Sequence, residues 1–256
     1  MARCIAQFTV ADDTTTTQTA TAGLPETITQ VKQGVVAIGT LQPTRRPPAK
    51  FYGTGFVIGD GHYVVTNAHV VPAVLAVEDR EALAVFVGGD STQFARQTEQ
   101  VAMDLQHDLV ILKISGPPLT ALQLGESDQV RAGETYAFTG FPLGIGFGYY
   151  PVTHRGMIST ISPIVLPAQS SRELTVQMIK RLKQPFDVFQ LDATAYPGNS
   201  GSPVYHPETG RVVGILNMVF VKDTKESIIE KPSGIAYAIP AKYIEHLFET
   251  VTKSGK

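Results

Sequence analysis

The chain has a single cysteine, Cys4, so no internal disulfide is available and the fold must rest on its hydrophobic core. Cys4 reads as an incidental residue near the terminus rather than as a reactive thiol. Neither sign of charge dominates. Twenty-one Lys and Arg against 23 Asp and Glu leave a formal net charge of −2, without the electrostatic footprint of a nucleic-acid binder or of a protein drawn to an anionic membrane. Long apolar runs are also missing. The longest candidates, Val70–Val77 and Val212–Val221, stop short of the roughly 18 residues that cross a bilayer or contain Asn217, so no membrane span is expected. The first residues lack the texture of a secretory signal, because Cys4–Ala11 is interrupted by Gln7 and Thr9 and followed by Asp12 and Asp13. A cytoplasmic location is therefore favoured, or a periplasmic or other extracytoplasmic one if a leader is missing.

What the chain does have is apolar content. Of 256 residues 43% are hydrophobic and 17% charged, which excludes disorder for most of the length and leaves room for one large domain or two small ones. Residues 1–26, Thr-rich and polar from Asp12, read as a mobile tail. From Thr27 onward short apolar or alternating runs recur between Gly, Pro and Asp. They are Gly34–Thr40, Phe51–Ile58, His62–Thr66, Ala82–Val87, Leu109–Ile114, Thr135–Thr139, Gly156–Ser159, Phe189–Asp192, Val212–Val221 and Gly234–Ile239. Many short strands with turn signals and few helical periods indicate an all-β sandwich or pair of barrels. Two helices are expected. Ala241–Val251 follows Pro240 with Tyr243, Ile244, Leu247 and Val251 on one face. Ser170–Lys183, in an inserted loop, opens with the S-x-x-E spacing of a capping box at Ser170 and Glu173 and is stopped by Pro185. Gly116-Pro117-Pro118 is a stiff turn placed to separate two halves, and no repeat is visible between them.

Chemistry concentrates in Pro197-Gly198-Asn199-Ser200-Gly201-Ser202-Pro203, between strands near Gln190 and Val204. A serine between glycines on a tight loop can expose its hydroxyl, and Gly198 lets the backbone aim its own N–H and that of Ser200 at one spot, which a tetrahedral oxyanion requires. An ordinary β-turn uses the same residue types. A serine hydroxyl needs a base. Of six histidines, His69 stands after a predicted strand among small and apolar neighbours, whereas His62, His206, His246 and His154 read as solvated. The base needs a carboxylate to hold its tautomer, and Asp108 precedes an apolar strand where it would be held rigidly. Singly, His69 could be a packed core histidine and Asp108 a strand-start cap. The set ordered His, Asp, Ser, with gaps of 39 and 92 residues, points past those readings.

Gly53-Thr54-Gly55-Phe56-Val57-Ile58, Thr66-Asn67-Ala68-His69-Val70-Val71, His107-Asp108-Leu109 and the Ser200 loop resemble, in this order, the trypsin-like serine proteases of the chymotrypsin fold, within them the HtrA (Deg) branch. Leu124-Gly125-Glu126-Ser127-Asp128, Phe141-Pro142-Leu143-Gly144, Gly156-Met157-Ile158-Ser159 and Gly234-Ile235-Ala236-Tyr237-Ala238-Ile239-Pro240 extend the likeness from about Val35 to the C-terminal helix. The resemblance implies two six-stranded antiparallel β-barrels, over residues 27–122 and 123–256, with the active site between them. It implies His69 as general base and then acid, Asp108 as its orienting carboxylate, Ser200 as the acylated nucleophile, and Gly198 and Ser200 as oxyanion donors. The function implied is a serine endopeptidase acting on extended or unfolded polypeptide, in quality control or regulated cleavage. A protease-fold chaperone or scaffold with a misaligned triad is the alternative. No cofactor and no metal are expected. Trimers are common in that family, so a homo-trimer is one expected assembly, although Phe8 is the only aromatic residue before Phe51.

Several positions depart from the family pattern. Ser202 replaces a usual glycine, the chain ends 17 residues after Ile239 with no PDZ-type domain expected in it, and residues 162–187 form a long loop. Asn199 stands where digestive relatives carry an aspartate that pairs with a freed N-terminal ammonium. An uncharged amide cannot balance a buried ammonium, so no zymogen cleavage is expected. Thr194 is placed near the base of the primary pocket, with Leu216, Asn217 and Met218 along a wall. No acid at the base argues against cleavage after Lys or Arg and for small or medium aliphatic residues. Gly144, Gly146 and Gly148 lack the βαβ setting of a phosphate loop. His62, His69 and His107 lack metal-ligand spacing, and Lys180, Arg181 and Lys183 read as a solvated helix end.

Overall fold

A computed structural model describes residues 23–88, 95–142, 150–163, 185–217 and 234–254. The expected Ser170–Lys183 helix, Cys4, Phe8, Met218 and the glycines at 144, 146 and 148 lie outside them. Twelve strands form two closed antiparallel barrels. The first comprises β1 (Val35–Leu41), β2 (Ala49–Ile58), β3 (Tyr63–Asn67), β4 (Ala82–Phe86), β5 (Ala95–Asp104) and β6 (Leu109–Ile114), in the order β1-β2-β3-β6-β5-β4. The second comprises β7 (Thr135–Gly140), β8 (Val152–Pro163), β9 (Asp187–Asp192), β10 (Pro203–Tyr205), β11 (Val212–Asn217) and β12 (Ile235–Pro240), in the order β7-β8-β9-β12-β11-β10. The two orders are the same topology used twice, a repeat that is invisible in the sequence because only the backbone path is shared.

β1, β6 and β11 read as nearly continuous apolar runs because both their faces are covered. On β6, Val110, Leu112 and Ile114 join a cluster confined to the first barrel, while Leu109 and Ile111 join one shared with Ala137, Val188, Ile215 and Ile239 of the second. Period-2 alternation thus sends one face to each barrel's own core and the other to the seam between them. Each such fully buried Val, Ile or Leu contributes about 1.5–3 kcal/mol, so the seam is itself a core that holds the barrels in register.

Between the barrels the chain bonds first to one and then to the other. Leu119 N–H donates to the Gly61 carbonyl and Leu122 N–H to Val57, then Gly125 N–H to Val212. A helix not anticipated, α1 (Leu24–Lys32), begins inside the stretch assigned to the tail. It carries Pro25 in its first turn, where the missing N–H is harmless, and buries Thr27 and Val31 near the 206–210 turn of the second barrel. The C-terminal helix α2 (Ala241–Ser254) crosses back to the first barrel. Ile244 and Leu247 are buried, Phe248 meets Tyr63 edge to face at 5.1 Å, and Tyr243 stacks on His107 at 3.9 Å.

Candidate active site

Antiparallel pairing sets two of the site residues side by side. β3 and β6 pair in the register Asn67↔Leu109, so the residues that follow β3 face those that precede β6. Ala68, His69 and Val70 form a single 3-10 turn. Asp108 sits at φ 55°, a left-handed conformation that Asp tolerates better than most residues. Its carbonyl accepts from Ala68 N–H (3.0 Å) and from the Asn67 side-chain amide (3.2 Å). The kink turns the carboxylate toward the histidine. Oδ1 accepts His69 N–H at 3.0 Å, and Oδ2 lies 2.6 Å from His69 Nδ1.

The third residue comes from the other barrel. Ser200 lies between β9 and β10, and its Oγ is 2.9 Å from His69 Nε2. Asp108 and Ser200 are 6% and 5% exposed, while the His69 side chain keeps 30% of its surface open. The structure therefore brings Asp108, His69 and Ser200 into one hydrogen-bonded line, opening at the imidazole. Beside it an open cavity of about 650 Å³ is bordered by His69, Val71, Pro72, Met103, Leu105 and Asp108.

Around Ser200 the backbone is pinned group by group. Asn199 N–H donates to the Tyr196 carbonyl at 2.9 Å, closing a turn with Pro197 at its second position and Gly198 at φ 99° in its third. Proline then a positive-φ glycine is the type II pattern. Gly201 has φ 88°, and a Cβ there would stand 1.8 Å from the Thr54 carbonyl oxygen, so only glycine fits. Its N–H and the Ser202 carbonyl bond to the two backbone groups of Leu216. Asn199 is fully buried and neither polar atom of its amide has a partner among the described residues; the same holds for the buried Ser202 Oγ.

The residues expected along the pocket wall lie in different surroundings. Leu216 is fully buried in the core of the second barrel. Asn217 donates its amide N–H to Asp108 Oδ2 at 2.7 Å. Neither fate is visible locally, since both depend on what β11 packs against. Thr194 is half-buried between Ala193 and Ala195, and Met218 lies outside the described residues. His154, read as solvated, is half-buried and stacked on Phe138 at 5.1 Å, with Nε2 buried and without a partner among the described residues; burial holds its pKa below the ordinary value. The neighbouring Arg155 suggested exposure, but alternation along β8 sends the two side chains to opposite faces.

A second Asp–His pair escaped the sequence reading. Asp104 Oδ2 lies 2.5 Å from His107 Nδ1, and Oδ1 accepts the N–H groups of Gln106 and His107. Burial alone would raise the pKa of Asp104, but the interaction with the His107 ring and the N–H groups of His107 and Gln106 together hold it low. The D-x-x-H spacing was the available signal.

Residues 53–215 match the model of the trypsin-like peptidase domain. Among curated proteins, a "probable periplasmic serine endoprotease DegP-like" of Halomonas elongata is 31% identical over 188 residues, covering 73% of this chain and 32% of that protein. "Serine protease Do-like HtrA" of Bacillus subtilis is 28% identical, covering 76% and 37%. The chain thus spans about a third of the length of the curated relatives it matches. Among solved structures, the HtrA-type protease AlgW with a decapeptide superposes with a TM-score of 0.64 at 22% identity, over 91% of this chain and 69% of that one. On its domain match, its relatives and its paired barrels, the chain belongs to the trypsin-like peptidase family, in the HtrA/Deg-like branch.

Proposed function

We propose that the protein is a serine endopeptidase that cleaves extended or unfolded polypeptide through an acyl-enzyme. The observation that carries this reading is the unbroken line Asp108 Oδ2–His69 Nδ1 (2.6 Å) and His69 Nε2–Ser200 Oγ (2.9 Å). With Nδ1 donating to the carboxylate, Nε2 is left as the acceptor that takes the Ser200 proton while Oγ attacks the scissile carbonyl. The imidazolium so formed is stabilised by Asp108 and gives its proton to the leaving amine. Water then attacks the acyl group with His69 again as base. The N–H groups of Gly198 and Ser200 receive the oxyanion, a contribution of about 3–4 kcal/mol per donor where one has been removed elsewhere.

Small or medium aliphatic residues are the proposed preference at the cleaved bond. Thr194, between two alanines, offers no charge to a basic side chain. The apolar border of Val71, Pro72, Met103 and Leu105 suits an extended apolar segment beside His69. The periplasmic setting named for several relatives favours an extracytoplasmic location over the cytoplasmic expectation. A homo-trimer stays a proposal for light scattering to decide. The competing scaffold reading, with a misaligned triad, draws no support from the distances above.

A fluorophosphonate probe tests the reading directly. Labelling at Ser200, abolished in Ser200→Ala while the fold persists by circular dichroism, is the expected result. An unlabelled, folded wild-type chain that also leaves unfolded casein intact would overturn it.

A further inference from the structure

Thr54, on β2 of the first barrel, is fully buried and holds four hydrogen bonds, three of which reach into the second barrel. Its N–H donates to the Ser200 carbonyl at 2.8 Å. Its Oγ1 donates to the Gly198 carbonyl at 2.8 Å and accepts Phe141 N–H at 3.0 Å. Its own carbonyl accepts from Thr66 Oγ1 at 2.6 Å, three residues before His69. One residue thus touches the strand leading to the base, the nucleophile, the proposed oxyanion turn and the start of the 141 loop.

The position of these bonds matters more than their number. Between Gly198 and Ser200 the Gly198 carbonyl is held by Thr54 Oγ1, the Asn199 N–H by Tyr196, the Asn199 carbonyl by Ser202 N–H, and the Ser200 carbonyl by Thr54 N–H. The Gly198–Asn199 peptide lies between the two proposed donors, the N–H groups of Gly198 and Ser200, in the chain, and glycine at φ 99° supplies no side chain to stiffen it. The hydroxyl of Thr54 is the one side-chain group among the described residues that grips that peptide.

We infer that Thr54 is a positioning residue whose hydroxyl fixes the plane of the Gly198–Asn199 peptide and so keeps the Gly198 and Ser200 amides convergent on the oxyanion. It touches no substrate. The inference rests on the serine-endopeptidase reading and extends it, because it places the integrity of the oxyanion site under the control of the first barrel. Removing the hydroxyl leaves the Gly198 carbonyl and the Phe141 amide without their buried partner, a cost that reorienting the turn relieves. A transition state feels that reorientation more than a ground-state complex does.

The test compares wild type, Thr54→Val and Thr54→Ser on one peptide substrate, with melting temperatures recorded for each. The expected result is a fall in kcat of about ten- to hundred-fold in Thr54→Val with KM changed less than about two-fold, and recovery of most of kcat in Thr54→Ser. A peptidyl boronate, which forms a tetrahedral adduct, should lose affinity in Thr54→Val by a factor similar to kcat, whereas the unreactive carboxamide peptide should not. If Thr54→Val does not fold, Thr54→Ala against Thr54→Ser reads the same contrast with smaller side chains. Equal kcat in the hydroxyl-free and hydroxyl-bearing variants, or parallel losses of boronate and carboxamide binding, would overturn the inference. An inactive wild type would instead strike the endopeptidase reading beneath it.

Discussion

Asn217, at the end of β11 in the second barrel, donates its amide N–H to Asp108 Oδ2 at 2.7 Å, the same oxygen that faces His69 Nδ1 from the first. The carboxylate therefore receives three N–H groups, two from His69 and one from across the seam. A hydrogen bond to a charged group is worth about 1.5–3 kcal/mol. Asn217→Ala should lower kcat/KM about ten- to hundred-fold by freeing Asp108 to rotate. Asp108→Asn, which presents the wrong partner to the imidazole, should cost more, about 10⁴-fold in kcat. Peptide hydrolysis by the two purified variants checks the order; an Asn217→Ala enzyme at wild-type rate would show that the bond is dispensable.

Glu81 is a strongly perturbed carboxylate of the first barrel. Thr40 Oγ1 (2.6 Å), Ala76 N–H (3.0 Å) and Arg45 (2.7 Å) all donate to it, and together they lower its pKa from 4.5 to about 2. Because the folded value is depressed, its contribution is present above about pH 4.5 and is lost as pH falls toward 2. The side chain is 11% exposed, so the shift converts to roughly 3 kcal/mol at most. Glu81→Gln should be about 1–3 kcal/mol less stable at pH 7, with the difference shrinking as both proteins are titrated below pH 4.5. Urea melts at three pH values would measure it; a constant difference would rule out the carboxylate's charge as its source.

His154 moves stability in the same direction for a different reason. Burial lowers its pKa below the ordinary 6.5, so the unfolded chain takes up the proton first and stability falls as pH drops below that value. His154→Phe keeps the stack on Phe138 and removes the proton. Its melting temperature should decline less than wild type between pH 7 and pH 5. Parallel declines would assign the acid sensitivity to other groups.

Asn199 bears no charge where an ammonium partner would need one, and its amide lies fully buried. Activity should therefore be independent of a free N-terminus. A chain carrying a folded N-terminal fusion should hydrolyse peptide at the unfused rate; strong activation on releasing the fusion would refute this.

Which parts of the molecule were readable in advance follows a physical rule. β6 was read to the residue because Leu109–Ile114 is apolar on both faces. β5 was missed because its ARQTEQVAMD stretch is largely polar and half-exposed, held in place by its neighbours β4 and β6 rather than by its own pattern. α1 was missed because a nine-residue helix is stabilised by the surface it lies on more than by propensity.

The residue types of the site, their order and the glycines of the serine loop are properties of the chain, since turn chemistry and side-chain reactivity act within a few residues. That Asn217 serves Asp108, that His154 is half-buried against Phe138, and that Thr54 grips the Gly198 carbonyl were decided only by the closure of two barrels and the packing of one on the other. These partners stand 109, 16 and 144 positions apart. No local periodicity carries information over such spans. It resides in strand register and in the shared core, which exist only once the chain has folded.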